Sequence, residues 1–280
     1  MIGIYNLEPY TNIALEKIRL YYQNEGVRDY NPLEHHLFDK IYCSSIFTHS
    51  NKSYVTDDMI CGGSGFDLTT TLPSEIEVMK PKINIGFTTR GCIRKCPFCI
   101  VPEKEGKIKV VGDIYDFWDR KSREITILDN NILALPEHFK TICEQLREEN
   151  LVVDFNQGLD FRLLNDLNIK ILKRIRHKEY RFAFDWVSES EKVVQAIGLL
   201  KKHNINRSIW YVLVGFNSSK GEDLERLNLL RNLGQSAYVQ RYNKITNRYF
   251  IRLSQWANQH NMFPKYTFDE FCIVRGDGIE

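Results

Sequence analysis

The spacing of apolar and polar positions changes along the chain. "IGIYNL", residues 2–7, reads as a short strand. "NIALEKIRLYYQNEG" sets Ala14, Ile18 and Tyr22 at helical spacing, with Gly26 as a stop. "FDKIYCSSIF" reads as a buried strand, and "MICGGSGFD" as an apolar step into a glycine-rich loop. "TTTLPSEIEVMKPK" carries two prolines and reads as a linker. Residues 1–80 are therefore expected to form a small α/β layer.

From Ile83 onward apolar runs alternate with segments of helical period. The expected strands are 83–89, 124–128, 151–156, 181–185, 208–214 and 237–240. Between them lie Ile142 and Leu146, then Leu164, Leu167, Ile171 and Ile175, then Val193, Ile197 and Leu200, then Leu224, Leu227 and Leu230. Alternation of this kind predicts a parallel sheet covered by helices. Six such strands make an open or partial barrel, residues 81–245, whose chemistry sits at the C-terminal strand ends. The aromatic-rich tail, 246–280, is expected to pack against it.

Composition changes this picture little. The chain has 280 residues, 43% hydrophobic and 26% charged, which suits a globule of one large domain with an appendage. A net charge of +2 provides no global field for DNA or an anionic membrane. The start lacks a basic stretch followed by an apolar run, and no segment reaches the roughly 20 apolar residues of a membrane span. Together with an odd cysteine count, this predicts reduced thiols in the cytoplasm.

The cysteines alter the reading most. "GCIRKCPFC", residues 91–99, sets Cys92, Cys96 and Cys99 in one loop, whereas Cys43, Cys61, Cys143 and Cys272 are scattered. Thiolates bind zinc, copper(I) or iron–sulfur clusters. A structural zinc site wants four closed ligands, usually as two separated pairs, and here there is no second pair. The nearest downstream histidine is His138, and Cys61 is the one candidate for a fourth thiol. Three thiolates on a cubane leave one iron open to a small molecule, so an iron–sulfur cluster is favoured over zinc or plain core cysteines. Arg90, Arg94, Lys95, Lys104, Lys107 and Lys109 surround the loop, as a solvated face or an anion site.

The spacing Cys-x3-Cys-x2-Cys at the end of a first barrel strand, with Phe98 before the last cysteine, resembles the radical S-adenosylmethionine superfamily. "GFTTRGCIRKCPFCIVPEKEGK" is similar to the cluster loops of members related to methylthiotransferases and cobalamin-dependent enzymes. The resemblance implies an α/β partial (β/α)6 barrel of the radical SAM type with a small N-terminal α/β cap. It also implies a [4Fe–4S] cluster whose open iron is chelated by S-adenosylmethionine, and an external electron donor such as flavodoxin or ferredoxin. Reduction would release methionine and a 5′-deoxyadenosyl radical.

Through that resemblance each strand end acquires a candidate role. Asp129 or Asn130 would meet the methionine amino group, although the usual Gly-Gly-Glu pattern is absent. Asn156, Gln157, Asp160 and Arg162 follow the third strand. Gln157 and Asp160 either read substrate or cap the strand, and Arg162 is expected to pair with Asp160 on the surface. Asp185 would hold the ribose hydroxyls, or cap a helix with Ser188 and Glu191 following. Gly215 would let backbone approach adenine, and backbone around Tyr238 would pair with its edge. Gln240, Arg241 and Tyr242 would face substrate, Arg241 suiting a phosphate or carboxylate, with a surface salt bridge as the alternative.

"CGGSGFD" is neither a P-loop nor a dinucleotide fingerprint. It resembles a remnant of the cobalamin-type domain of related enzymes, and no Asp-x-His-x-x-Gly motif accompanies it. Residues 1–80 therefore read as a shortened cap without cobalamin. The additional cluster domain and RNA-binding domain of methylthiotransferases are not visible, which favours a small, nucleoside-like substrate. Within the superfamily the compact form resembles the queuine lyases, which would release queuine from queuosine or its 5′-phosphate. A methylthiotransferase-like or other tailoring enzyme for peptides or nucleobases, and a non-enzymatic iron–sulfur sensor, remain open.

Overall fold

The computed structural model describes residues 1–275. Its N-terminal part is β1 (Ile2–Asn6), α1 (Ile13–Tyr21), β2 (Val27–Asp29), β3 (Lys40–Ser44), β4 (Ile60–Gly62) and the one-turn helix α2 (Ser74–Glu77). The four strands are parallel in the order β2-β1-β3-β4. Asn12 starts α1 by accepting the amides of Ala14 and Leu15. Leu15 and Ile18 then pack with Ile2, Ile4 and Tyr42. Ile76 of α2 completes that cluster at 1% exposure, so the expected linker closes a core.

The glycine-rich loop is explained by close chain contact. A Cβ on Gly65 would lie 2.4 Å from Ser45 Oγ and 2.5 Å from the Phe47 carbonyl. The amides of Gly65, Phe66 and Asp67 are spent on carbonyls of Ser45 and Gly63. In a sheet of this order ligands bind in the crevice between β1 and β3. Here Glu8 fills that crevice. Its Oε1 accepts the Ser45 and Ser50 hydroxyls at 2.9 and 2.6 Å and the Ile46 amide at 3.1 Å.

The remainder alternates strands and helices. It contains β5 (Ile85–Gly86), β6 (Thr89–Arg90), α3 (Val101–Lys104), β7 (Lys109–Val110), β8 (Glu124–Ile127) and α4 (Pro136–Glu148). Then come β9 (Val152–Phe155), α5 (Asp166–Leu172), β10 (Arg176–His177), β11 (Arg181–Ala183), α6 (Ser190–Lys202), β12 (Ile209–Val214), α7 (Lys220–Asn232) and β13 (Ser236–Arg241). Two parallel sheets result, β10-β9-β8-β5 and β11-β12-β13. The Leu159–Phe182 bridge, with the Leu159 amide on the Arg181 carbonyl at 2.7 Å, joins them. Five of the six expected strands, and the Ile85–Gly86 part of the first, thus lie in one parallel array. It is open: among the described residues β13 pairs with β12 alone.

Three local expectations differ from the structure. The first strand, expected over 83–89, is broken, because Asp129 draws the amides of Thr88 and Thr89 away from a ladder. The helix expected through Leu164 and Ile175 is shorter, because Asn165 and Asn168 form a capping box at its start. Within it Leu167 is 70% exposed, and Ile169 and Leu172 supply the buried face instead. The two-residue β10 has no periodic signal and was not foreseen.

The tail contains α8 (Arg248–Ala257) and α9 (Phe268–Val274), and it packs as expected. Leu253, Trp256, Phe271 and Cys272 belong to the same core as the strands of the parallel array. Asn258 also serves the open edge: its Oδ1 accepts the Val239 amide at 2.6 Å and its Nδ2 donates to the Val239 carbonyl at 3.2 Å. A side-chain amide thereby stands in for the next strand.

Candidate metal and cofactor site

The cysteine loop hangs between β6 and β7, an antiparallel pair at the rim of the array. Its neck is pinched at Gly91, with φ +82° and room only for hydrogen, since a Cβ would lie 2.4 Å from the Lys107 carbonyl. Glu105 ties the neck: it accepts the Gly91 amide and the Asn130 amide group, both at 2.8 Å, and pairs with Arg90 at 2.8 Å. Inside the loop the Cys99 amide bonds the Cys96 carbonyl at 3.0 Å.

Cys92, Cys96 and Cys99 are free, half-buried thiols. Burial pushes the Cys96 thiol up, opposed by the Arg162 charge. Burial likewise raises Cys99, opposed by the Val101 amide. Both thiols also feel the charges of Cys92 and Asp185, and Cys99 that of Glu105 as well. Among the described residues no three His, Cys, Asp or Glu side chains converge on a single ion. A mononuclear zinc site requires that convergence. Three thiolates in one loop are a donor set that suits a cubane cluster with one iron left open.

The strand ends brace this loop. Asp129 is buried and accepts the Thr88 amide at 2.7 Å, the Thr89 amide at 3.0 Å and the Thr88 hydroxyl at 2.5 Å. Desolvation nonetheless raises its pKa, against those hydrogen bonds. His138 meets the same hydroxyl at 3.0 Å. Asp160 is the hub of a second brace. Its Oδ2 accepts Arg94 Nε at 2.8 Å and Asn131 Nδ2 at 3.0 Å, and its Oδ1 accepts Arg162 Nε at 2.6 Å. Burial opposes its ionisation, yet Arg162, Arg94 and Asn131 outweigh it and hold the carboxyl below its usual range. The expected Asp160–Arg162 pair is present, but part-buried rather than on the surface, and Arg162 reaches on to Glu189 at 3.1 Å.

Asp185 caps no helix. The residues starting the helical turns beyond it, Trp186 and Glu189, have no side-chain cap. Its Oδ1 instead accepts the Leu213 amide at 3.1 Å, and burial raises its pKa. Beneath it Arg226, fully buried, donates to the Phe184 and Leu213 carbonyls, each at 2.8 Å, and pairs with Asp223. Asp223 in turn accepts the Gly215 amide at 3.1 Å. This pair welds the ends of β11 and β12 to α7.

An aromatic group joins the loop to the later strand ends. Phe98 lies 6.0 Å from Trp186 and 5.5 Å from Phe216, and Phe216 lies 4.7 Å from Tyr242. Tyr238 is 46% exposed and stands edge-on to Tyr211 at 5.9 Å. Gln157 is exposed, and Arg241 donates to the Ile245 carbonyl at 2.8 Å. The structure thus brings Asp160 to the cysteine loop through Arg94, ties Asn130 to its neck, and turns Phe98 of the loop itself toward Trp186 and Phe216. Asp129 lies beneath it.

Several site residues carry no sequence signal strong enough to assign. Asn131 lies within "ILDNN" beside the two residues given roles, yet it is the one whose amide reaches Cys92, at 3.7 Å. Trp186 and Phe216 look like ordinary strand-end hydrophobics. On the inner face, Arg181 binds Asp154 through two bonds, 2.8 and 3.1 Å, and reaches the Tyr211 hydroxyl at 3.3 Å. That pairing spans two strands with no local motif.

No family model matches the chain. Over 159 residues, 55% of the chain, it is 23% identical to a tRNA-2-methylthio-N(6)-dimethylallyladenosine synthase of Bdellovibrio bacteriovorus. Over 85 residues, 26% of the chain, it is 31% identical to the protein of that name from Flavobacterium johnsoniae. The matched stretches span 29% and 17% of those relatives' own lengths. The similarity supports the radical S-adenosylmethionine superfamily, and with it a [4Fe–4S] cluster and S-adenosylmethionine as cofactors. Among the described residues no helix is long and apolar enough to cross a membrane.

Proposed function

We propose that the protein is a radical S-adenosylmethionine enzyme that acts on a nucleoside-like substrate. The observation carrying this reading is the loop of Cys92, Cys96 and Cys99 at the rim of an open parallel array, with the Asp185 charge felt by two of its thiols. Cys92, Cys96 and Cys99 would hold the cluster, leaving one iron for the cofactor. When bound and reduced by a flavodoxin- or ferredoxin-type donor, the cluster supplies the electron that splits S-adenosylmethionine into methionine and a 5′-deoxyadenosyl radical.

The chain's own residues would bind and orient. Asp185 faces the thiols with one oxygen tied to Leu213, which leaves the other to accept the ribose hydroxyls. Phe98, Trp186 and Phe216 exclude water beside it. Asn130 is anchored through its amide nitrogen to Glu105, so its carbonyl remains for the amino group of the cofactor. Asp129, with both oxygens taken by Thr88 and Thr89, sets the height of the loop. Backbone at Gly215 and Tyr238 would border the adenine. Gln157 and Arg241 lie at the ends of β9 and β13, where a substrate above the cluster would reach them. Asp160 orders the loop rather than touching substrate, because its oxygens are occupied.

The finer reading is a lyase that releases queuine from queuosine or its 5′-phosphate. The activity the relatives are named for favours a second one, methylthio transfer to a modified adenosine. One experiment separates them. Reduced, reconstituted protein is incubated anaerobically with S-adenosylmethionine and queuosine, its 5′-phosphate, or dimethylallyl-adenosine, free and in tRNA. Mass spectrometry then follows 5′-deoxyadenosine together with released queuine or methylthio product. Cofactor cleavage without either product would reject both substrates and keep the radical assignment. No cluster and no cleavage would reject the assignment itself.

A further inference from the structure

Asn131 stands directly after the two residues of the second strand end that the sequence singles out, and it is 2% exposed. Its Nδ2 is shared between Asp160 Oδ2 at 3.0 Å and Cys92 Sγ at 3.7 Å. The sense of the amide is fixed by its neighbours. Asp160 is held ionised between Arg94 and Arg162, so it can only accept, and the NH2 end must face it. The other amide hydrogen is then directed at sulfur. The amide oxygen, turned the other way, is buried with no protein partner. Leaving a buried acceptor without a partner is unfavourable, so this orientation is kept against a penalty.

Cys92 also accepts the Arg94 amide at 3.3 Å, a donor that any such turn provides. The Asn131 contact differs, because it comes from another strand and is held by a carboxylate whose charge two guanidiniums balance.

On the radical S-adenosylmethionine reading, we propose that Asn131, held in place by Asp160, is a positioning residue that raises the reduction potential of the cluster by donating an N–H to the Cys92 thiolate. Reduction adds an electron to the iron–sulfur unit and makes its sulfurs better acceptors. An N–H aimed at a ligating sulfur therefore stabilises the reduced form more than the oxidised form. Asp160 supplies the aim without the opposing effect of a bare negative charge, since Arg94 and Arg162 lie 2.8 and 2.6 Å from its oxygens.

The test is an EPR-monitored redox titration of reconstituted parent and Asn131→Ala, without S-adenosylmethionine. At a fixed potential the reduced-to-oxidised ratio of the variant should fall about tenfold, equal to about 59 mV for a one-electron couple. Iron and sulfide content should match the parent, which separates tuning from simple support of the loop. An unchanged midpoint overturns the proposal. If Asn131→Ala loses its cluster, the parent grown with asparagine labelled with nitrogen-15 at the side-chain amide decides. Pulsed EPR of the reduced cluster should show a nitrogen coupling that persists in Asn130→Ala, and its absence overturns the proposal. A parent that assembles no cluster sinks the proposed function as well, whereas a normal cluster with an unmoved midpoint sinks only the role of Asn131.

Discussion

Cys96 and Cys99 show how burial and function pull against each other in a single side chain. Burial raises both thiols above the ordinary value, so at neutral pH each free thiol keeps its proton. A metal must displace those protons, and the sign follows. Assembly releases protons, so cluster occupancy should fall as pH drops below neutrality and rise toward pH 8. Iron and sulfide near about four each per chain should be recovered at the higher pH. A Cys92→Ala, Cys96→Ala, Cys99→Ala triple variant should bind none, and full content in that variant would remove the site from this loop. Asp185 makes the second residue-scale case. It caps no helix and accepts the Leu213 amide of the neighbouring strand, so Asp185→Ala should leave cluster content intact. Calorimetry should then show S-adenosylmethionine binding weakened about tenfold or more, the loss of one hydrogen bond to a charged group. The carboxylate was legible in "FAFDW" because an apolar strand ends on it. Its partner was not, since the Leu213 amide lies 28 residues away and no local pattern marks it.

At the scale of elements, the neck of the cysteine loop and the edge of β13 are the stressed places. Gly91→Ala would force a non-glycine residue to φ +82° and set its Cβ against the Lys107 carbonyl. The backbone term alone is on the order of 1–3 kcal/mol, and the contact adds to it. Cluster content should therefore collapse in Gly91→Ala. Gly106→Ala, also at positive φ but facing open space, should keep most of it. Equal retention in both would show that the neck does not order the loop. Asn258→Leu tests the other end. It strips the buried Val239 amide and carbonyl of their partners, which should cost about 1–3 kcal/mol in denaturant unfolding. The strands of the parallel array after the first were readable because each is a short apolar run between helical periods. The break at Thr88 was not, because "INIGFTTR" keeps a strand's composition while Asp129, 41 residues on, takes its amide. The hub at Asp160 was visible as a polar strand end, but its four donors come from Arg94, Asn131 and Arg162, and only the last is near in sequence.

At the scale of the whole molecule, the open array also carries a pH-sensitive group outside the cysteine loop. His177 of β10, the strand beside β9, lies 4.3 Å from Tyr180 and 5.9 Å from Phe155 by ring centroids. Its Nε2–H donates to the Leu172 carbonyl at 2.9 Å, and its Nδ1 is buried without a partner. Burial lowers its pKa to about 4, only partly offset by the Leu172 carbonyl. In the unfolded chain the imidazole takes a proton near the ordinary value of about 6.5. The folded state therefore binds fewer protons between those limits, so stability falls as pH drops through about 6.5 and levels off below about 4. The loss from this one group is on the order of 3 kcal/mol at most. Asp160 acts in a lower window. Its folded pKa is depressed, so the stability it contributes is present above the unfolded value of about 3.9 and is lost as pH falls through the folded one. The two effects can thus be separated by pH. Urea unfolding of the parent at pH 7.5 and at pH 5 should show the first loss while Asp160 is still ionised. His177→Phe, which fills the aromatic contact but cannot titrate, should be somewhat less stable at pH 7.5 for want of the Leu172 hydrogen bond. It should lose markedly less than the parent between pH 7.5 and pH 5. Parallel curves for the two proteins would place the acid sensitivity of the fold in some other group.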